Sequence, residues 1–227
     1  MPSQLRLELQ RPVSFRREDF IVSATNVDAV RAVDAWPAWY GGCLALIGPS
    51  GSGKSHLSRA WASQVDAVAL NLSEHRGAEE LASLQGRPIL IEDADQGVPD
   101  ETLFHLINMA GADGAGLLLT AAIAPNAWPA SLPDLRSRLN ALPVAELAPP
   151  DDAVLQGLLI NFFRERNIRP ADDLIPYLLR RIERSALRAR EIVERLDEVA
   201  DAEQRAVSRA LARQIFEIEG QSPDIDE

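Results

Sequence analysis

The amino-acid sequence predicts an α/β fold, in which a parallel five-stranded sheet is followed by a small all-helical domain. Short apolar runs alternate with helical patterns over the first 150 residues, and a glycine-rich loop follows the first run. From residue 153 onward only helical periodicity is present. Apolar strands separated by helices are typical of a parallel sheet that is covered on both faces. A chain of 227 residues is long enough for both parts.

The predicted elements follow one another along the chain. The apolar runs at 43–47, 67–72, 89–91, 117–120 and 144–147 are the predicted strands, and helices are predicted at 54–64, 77–84 and 100–110. Four more helices are expected at 153–166, 172–184, 187–200 and 203–217, with Asp172 and Ser185 as N-caps. We therefore expect a separate peptide at 1–14, an α/β domain at 15–150, a helical lid domain at 151–220 and an acidic tail at 221–227.

A phosphate-binding loop is predicted between the first strand and the helix that follows it. The glycines of such a P-loop let backbone N–H groups converge on phosphates, while its lysine reaches the terminal phosphates and its serine reaches Mg²⁺. His56 follows directly and is included in the predicted site. The pattern G-x-x-x-x-G-K-[ST] is matched in full by Gly48, Pro49, Ser50, Gly51, Ser52, Gly53, Lys54 and Ser55.

Lys54 is the only lysine in a chain with 23 basic residues, so every other one is an arginine. A planar guanidinium is too wide for the niche between the terminal phosphates of a nucleotide, where a compact ammonium fits. The single exception to an arginine-rich composition therefore coincides with a chemical requirement for lysine.

A second nucleotide-site motif is predicted at residues 88–93, about 38 residues after the P-loop lysine. An apolar strand there ends in Glu92 and Asp93, which is the form of a Walker B strand. One acid would hold Mg²⁺, and we assign Glu92 together with Ser55 to that role. The other acid would polarise an attacking water.

The order of P-loop, Walker B strand and all-helical unit is that of AAA+ ATPases, and four further segments resemble the DnaA-like branch of that family. A motif near the N-terminus, with Phe20, Ile21, Val22 and Asn26, resembles the one that lies against the nucleotide base in those proteins. The segments 100–108, 135–139 and 190–192 resemble the helix after Walker B, the L-x-S-R-[FL] box and the lid motif. The resemblance covers residues 15–218 and implies ADP or ATP as the ligand.

The resemblance also implies roles for three side chains. Arg138 would be an arginine finger that points at a nucleotide held by another protomer or partner, and Arg190 would be the sensor 2 residue that reaches the phosphates from the lid. Thr120 lies on the sensor 1 strand. Ala122 stands where the family usually has Asp, and Glu92 where it more often has Asp, so we expect weak ATP hydrolysis by the chain itself.

The sequence shows neither the helix-turn-helix domain nor the long N-terminal domain of DnaA initiators. In this respect the chain resembles the regulatory Hda group. Members of that group carry a clamp-binding peptide, and Gln4, Leu5, Leu7 and Leu9 within residues 4–9 resemble it. The resemblance implies a cytoplasmic regulator of replication initiation that docks on the sliding clamp, the β subunit of DNA polymerase III, and promotes hydrolysis of ATP bound to DnaA. A homodimer, and the choice between ATP and ADP, are left open.

The net charge of −11 disfavours tight, direct DNA binding, so we expect DNA contact only through the clamp. No apolar run approaches the roughly 20 residues of a membrane span. The histidines His56, His75 and His105 show no metal-ligand spacing. Two alternatives remain: a helicase-loader-like ATPase that binds single-stranded DNA, and a small-molecule kinase.

Overall fold

The computed structural model of the chain describes residues 15–70, 81, 83–113 and 115–219. The predicted clamp-binding peptide at 4–9, His75, most of the predicted helix at 77–84 and the acidic tail at 221–227 lie outside these described residues.

The described strands form one fully parallel sheet with the spatial order β2-β3-β4-β1-β5. The five strands are β1 (Cys43–Ile47), β2 (Val68–Leu70), β3 (Ile89–Ile91), β4 (Leu117–Ala121) and β5 (Val144–Glu146). Strand β4 lies between the P-loop strand β1 and the Walker B strand β3, so these two are not neighbours. Because all strands run the same way, their carboxyl ends meet at one edge of the sheet, where ligands bind in open α/β folds.

Helices cover both faces of the sheet, as continuous apolar strands require. These helices are α1 (Val27–Asp34), α2 (Lys54–Val65), α3 (Asp100–Asp113) and α4 (Pro133–Ala141). One apolar cluster joins α3 and α4 to the sheet, and a second joins α1 and α2 to it. The central strands are buried on both sides, with Leu117, Leu118 and Leu119 of β4 fully inaccessible to solvent.

The remaining described helices have an apolar core of their own. They are α5 (Asp152–Glu165), α6 (Leu174–Leu179), α7 (Ala186–Ala202) and α8 (Arg209–Glu219). Leu155, Leu159 and Phe163 of α5 are fully buried against residues of α6, α7 and α8. This arrangement follows from the apolar stripe that recurs at helical spacing along α5.

Several predicted boundaries were wrong. Helix α7 runs two residues past its predicted end at 200, to Ala202, and the left-handed backbone of Gln204 (φ 51°) follows it. Helix α8 is shorter than predicted and begins only at Arg209, where the Ser208 hydroxyl accepts the Leu211 N–H. Helix α6 has Asp173, not Asp172, at its N-cap, whereas Ser185 caps α7 as predicted by accepting the Arg188 N–H. Helices α1 and α4 were not predicted.

Among the helices that the structure describes, none is both long and apolar enough to cross a membrane.

Candidate functional site

The P-loop lies at the carboxyl edge of the sheet and lines a cavity of about 870 Å³ between the α/β part and the lid. Its walls come from three parts of the chain: the P-loop with the start of α2, the segment before α1, and the lid helices α5 and α7. Of the predicted site, the residues that line this cavity are Phe20, Ile21, Asn26, Ser50, Gly51, Ser52, Gly53, Lys54, Ser55, His56, Asp93 and Arg190. Gly48 and Pro49 do not line it, although both hold the P-loop lysine.

Lys54 is the cation at the centre of the loop. Its Nζ donates to the backbone carbonyls of Gly48 (2.6 Å) and Pro49 (3.0 Å). Partial burial lowers the pKa of Lys54, and the negative charges of Asp93 and Asp95 act in the opposite direction. The ammonium therefore faces the acids that follow β3, although β4 separates the two strands.

The two Walker B acids have different surroundings. Asp93 lines the cavity, whereas Glu92 does not. Arg59 on α2 donates from Nε (2.8 Å) and Nη2 (2.6 Å) to Glu92 Oε2, while Glu92 Oε1 is buried without a hydrogen-bond partner. With Glu92 held by a guanidinium, the acid that can meet a metal ion in the cavity is Asp93.

Thr120 is buried and lies outside the cavity. Its hydroxyl accepts the N–H of Asp93 at 3.0 Å. The sensor 1 strand thus fixes the backbone of the Walker B acid. Two residues on, the N–H of Ala122 donates to Asp95 Oδ2 at 2.9 Å.

The segment before α1, which was predicted to lie against the nucleotide base, forms one wall of the cavity. The rings of Phe20 and His56 meet edge to face with centroids 5.5 Å apart, and His56 Nε2 is 2.9 Å from the Arg16 carbonyl oxygen. Asn26 is buried and braces this segment: its amide donates to the Ile21 carbonyl, and its carbonyl oxygen accepts the Ser23 N–H. Val22, which was predicted to contact the ligand, is 46% exposed and does not line the cavity.

The lid closes the cavity from the other side. The Arg190 guanidinium lies 4.2 Å from the centroid of the Phe162 ring and pairs with Glu165 at 3.6 Å. At the start of α7 the Ala186 N–H donates to the Gly51 carbonyl at 2.9 Å, so the lid contacts the P-loop backbone directly. Arg190 is therefore directed at the same cavity as Lys54, from a separate core.

Arg138 lies on α4, exposed and outside the cavity. In the part of the chain that the structure describes, no hydrogen-bond acceptor or carboxylate pairs with its guanidinium. Its charge acts on the Cys43 thiol at the start of β1, opposite to the P-loop end of that strand. Arg138 therefore contributes nothing to the lining of its own chain's cavity.

The cavity suits a nucleotide with Mg²⁺. It offers cationic Lys54 and Arg190, apolar surface from Ile21 and Phe162, and the hard oxygen donors Ser55 and Asp93. Ser52 Oγ in the loop is buried with no hydrogen-bond partner among the described residues. The described residues contain no cluster of three or more His, Cys, Asp or Glu that could hold a metal ion.

Sequence reasoning missed several residues of this region. Phe162 and Glu165 on α5, which contact Arg190, carry no motif. Arg59, which pairs with Glu92, lies one helical turn after the P-loop. Asp95, which accepts the Ala122 N–H, lies two residues after the Walker B acids. Their proximity to the motifs was the only available signal.

The comparisons with known proteins agree on the architecture. No model of a protein family matches the chain. The chromosomal replication initiator protein DnaA from Thermomicrobium roseum is 27% identical over 112 residues, which are 49% of this chain and 24% of that protein. The chain thus spans about a quarter of the length of this relative.

Solved structures match over most of the chain. Domain III of the Thermotoga maritima DnaA superposes with a TM-score of 0.72 at 18% identity, covering 89% of this chain and 95% of that one. AMPPCP-bound DnaA from Aquifex aeolicus gives 0.64 at 17% identity (82% and 65%), and the Thermotoga maritima RuvB Holliday junction branch migration motor gives 0.68 at 16% (90% and 72%). The chain therefore has the fold of an AAA+ P-loop ATPase, with DnaA and RuvB as its structural neighbours.

Proposed function

We propose that this chain is a DnaA-related regulator of replication initiation, which binds ADP or ATP and supplies Arg138 to an ATP molecule held by DnaA. The partial match to a DnaA initiator and the match to AMPPCP-bound DnaA support the replication context and the adenine nucleotide. The observation that carries the proposal is the position of Arg138, which is exposed, outside its own chain's cavity and unpaired among the described residues.

The nucleotide in the chain's own cavity has a structural role in this proposal. It lies between Lys54 of the P-loop and Arg190 of the lid, two cations on parts of the chain with separate cores. Phosphates that neutralise both cations hold the two parts together. The direct bond from Ala186 to Gly51 makes the same connection through the backbone.

Weak hydrolysis by the chain itself follows from one contact and one residue identity. The Arg59 guanidinium neutralises Glu92, the acid that begins the Walker B pair, and so removes it from the cavity. Ala122 has no side-chain group to orient a water at the end of β4. We assign Mg²⁺ to Ser55 and Asp93, where it would offset phosphate charge, and transfer to Asp93 the role that the sequence suggested for Glu92.

Catalysis on the partner uses a different surface. A guanidinium brought to phosphates as hydrolysis proceeds stabilises the charge that develops, and arginine fingers raise hydrolysis rates by roughly 10³ to 10⁵. Only an exposed guanidinium that is free of other partners can be donated in this way. Docking on the sliding clamp through residues 4–9 would hold the chain near DNA-associated DnaA, and a homodimer would use the same surface for a second copy.

The proposal is tested with clamp loaded on DNA and DnaA carrying γ-labelled ATP. The chain is expected to accelerate loss of the label, and Arg138→Ala is expected to abolish the acceleration. Arg169→Ala is the matched control, since Arg169 is also exposed and has no hydrogen bond or ion pair with any residue described in the structure. Equal acceleration by wild type and Arg138→Ala would refute the role of Arg138.

Clamp docking has its own test, a pull-down with purified clamp. We expect Gln4→Ala/Leu7→Ala to lose binding, because a Gln amide and leucines are the groups that an extended peptide places in a polar pocket and an apolar groove. Retention of the double variant by the clamp would remove residues 4–9 from the proposal and leave the Arg138 experiment unaffected.

A cluster of arginines around an aromatic ring on the lid favours a second function, the binding of single-stranded DNA as in helicase loaders. Arg181 and Arg209 each lie about 5 Å from the Tyr177 ring centroid, and Arg213 lines the same surface depression. Cations beside an aromatic ring suit single strands, but Arg209 and Arg213 already pair with acids. Oligonucleotide binding without clamp that weakens with salt and is lost in Arg181→Ala/Arg209→Ala would favour this function.

A further inference from the structure

The carboxyl end of β4 holds both loops of the nucleotide site. On one side the Gly48 N–H of the P-loop donates to the carbonyl of Ala121 at 3.2 Å. On the other side the loop after β3 is bound twice, through Asp93 to the Thr120 hydroxyl and through Asp95 to the Ala122 N–H. Three successive residues, Thr120 and Ala121 of β4 and Ala122 directly after it, thus connect the P-loop to the loop that carries Asp93.

Asp93 needs this support, because its backbone is in the left-handed region (φ 52°, ψ 47°). A residue with a Cβ adopts that conformation at a cost and keeps it only where the surroundings hold it. The bond to Thr120 fixes the N–H of Asp93 from before the turn. A short helical turn, Ala94–Gln96, follows Asp93. Within it the Asp95 carboxylate accepts the Ala122 N–H, which attaches the loop to the end of β4 a second time.

The two oxygens of Asp95 are used unequally. Oδ2 accepts the Ala122 N–H, whereas Oδ1 is buried and has no hydrogen-bond partner among the described residues. Leaving a carboxylate oxygen buried and unpaired is unfavourable for stability alone. The negative charge of Asp95 also opposes the lowering of the Lys54 pKa by burial, although Asp95 does not line the cavity.

We infer that Asp95 is a positioning residue of the nucleotide site, which holds Asp93 toward the cavity by fastening the loop after β3 to the end of β4. The inference rests on the proposed nucleotide binding and adds to it a residue that no motif marks. In this chain the Asp95 side chain, from the loop after β3, accepts the backbone N–H of Ala122, the residue directly after β4, whose own side chain is only a methyl group. Asp95 acts through Asp93 and does not touch the ligand.

A positioning role and a purely structural role for Asp95 predict different losses of nucleotide affinity. If Asp95 positions Asp93, removing its acceptor weakens the part of nucleotide binding that depends on Mg²⁺, because Asp93 and Ser55, which both line the cavity, are the groups proposed to hold the metal ion. If Asp95 only stabilises the fold, nucleotide binding weakens equally with and without Mg²⁺. Outer groups that orient a metal ligand change metal affinity by about 10- to 100-fold when they are removed.

The test measures the dissociation constant of a fluorescent ATP analogue (mant-ATP) in Mg²⁺ and in EDTA, on the full chain. Asp95→Ala is expected to reduce the ratio of the two constants about tenfold or more. Asp95→Asn keeps an oxygen that accepts the Ala122 N–H and is expected to retain the wild-type ratio. Asp172→Ala, at an exposed acid of the lid, is the control, and Asp95→Leu replaces the alanine variant if that one does not fold.

The outcomes are distinct. A wild-type chain that does not bind mant-ATP refutes the proposed nucleotide binding itself. Wild-type binding with an unchanged Mg²⁺ ratio in Asp95→Ala or Asp95→Leu overturns the role of Asp95 and leaves nucleotide binding intact. An Asp95→Asn variant as impaired as the alanine variant also overturns it, because charge and not the bond to Ala122 would then be responsible.

Discussion

Replacing Gly51 by alanine should separate the lid from the P-loop. Gly51 has a φ of +72°, and a Cβ built on it would overlap the Ser185 side chain at the start of α7. The same glycine accepts the Ala186 N–H through its carbonyl. Gly86→Ala is a matched control, because Gly86 has a φ of +76° and nothing within 4 Å of the position where its Cβ would lie.

The magnitude follows from the contacts that each variant loses. A left-handed backbone costs an alanine about 1 kcal/mol, which both variants lose alike. Gly51→Ala must also displace Ser185, whose N-cap bond is worth about 1 kcal/mol, and the bond from Ala186 is worth about 1 kcal/mol more. We expect Gly51→Ala to lower the free energy of unfolding by about 3 kcal/mol, against about 1 kcal/mol for Gly86→Ala.

Urea unfolding of the nucleotide-free chain measures both values, since the midpoint and slope give the free energy of unfolding in water. Nucleotide is left out so that changed phosphate binding by the loop does not enter the comparison. Equal destabilisation by the two variants would refute the reasoning, because the contact between Gly51 and the start of α7 would then contribute nothing.

Three further predictions concern the lysine, the cysteine and one carboxylate. ATP at 100 times its dissociation constant stabilises a binding protein by about 2.7 kcal/mol, so we expect a melting-temperature rise of about 5 to 10 °C in the wild type and none in Lys54→Ala, measured by calorimetry. Burial raises the pKa of Cys43 to about 12, so its reaction with DTNB at pH 8 should be at least about 1000-fold slower than that of a free thiol until urea unfolds the chain; comparable rates in native buffer would contradict this. Hydrogen bonds from the hydroxyl and N–H of Ser131 lower the pKa of Asp100, so its contribution to stability is present above the unfolded pKa of about 4 and is lost as pH falls through the lower folded value. Asp100→Asn should therefore be less stable than wild type at pH 7 in urea titrations, with a difference that shrinks below pH 4; a difference that is constant with pH would contradict the assignment.

The parts of the fold that sequence could predict are those with strong local periodicity. The strand β1, the P-loop and the start of α2 were placed at their observed residues, because an apolar run, a glycine pattern and a helix occur in immediate succession. The helical lid was predicted from its apolar stripe. Helix α4 was missed because it buries only Leu135 and Leu139, too few positions to set a period.

The rest depends on contacts between residues far apart in sequence. The order of strands in the sheet, which inserts β4 between β1 and β3, leaves no trace in any single strand. The pairing of Arg59 with Glu92 spans 33 positions, and that of Asp95 with Ala122 spans 27. The sequence therefore predicted a metal role for the Walker B pair, but it could not show that Asp93 lines the cavity and Glu92 does not.

We propose that Arg138 acts on ATP held by another protein, while the nucleotide in the chain's own cavity is structural. The most direct measurement places γ-labelled ATP on one protein at a time in a mixture of this chain, DnaA and clamp on DNA, and follows phosphate release. We expect rapid phosphate release only when the label is on DnaA, with a decrease of roughly 10³-fold or more in Arg138→Ala. Rapid release from label carried by this chain, unchanged in Arg138→Ala, would contradict it.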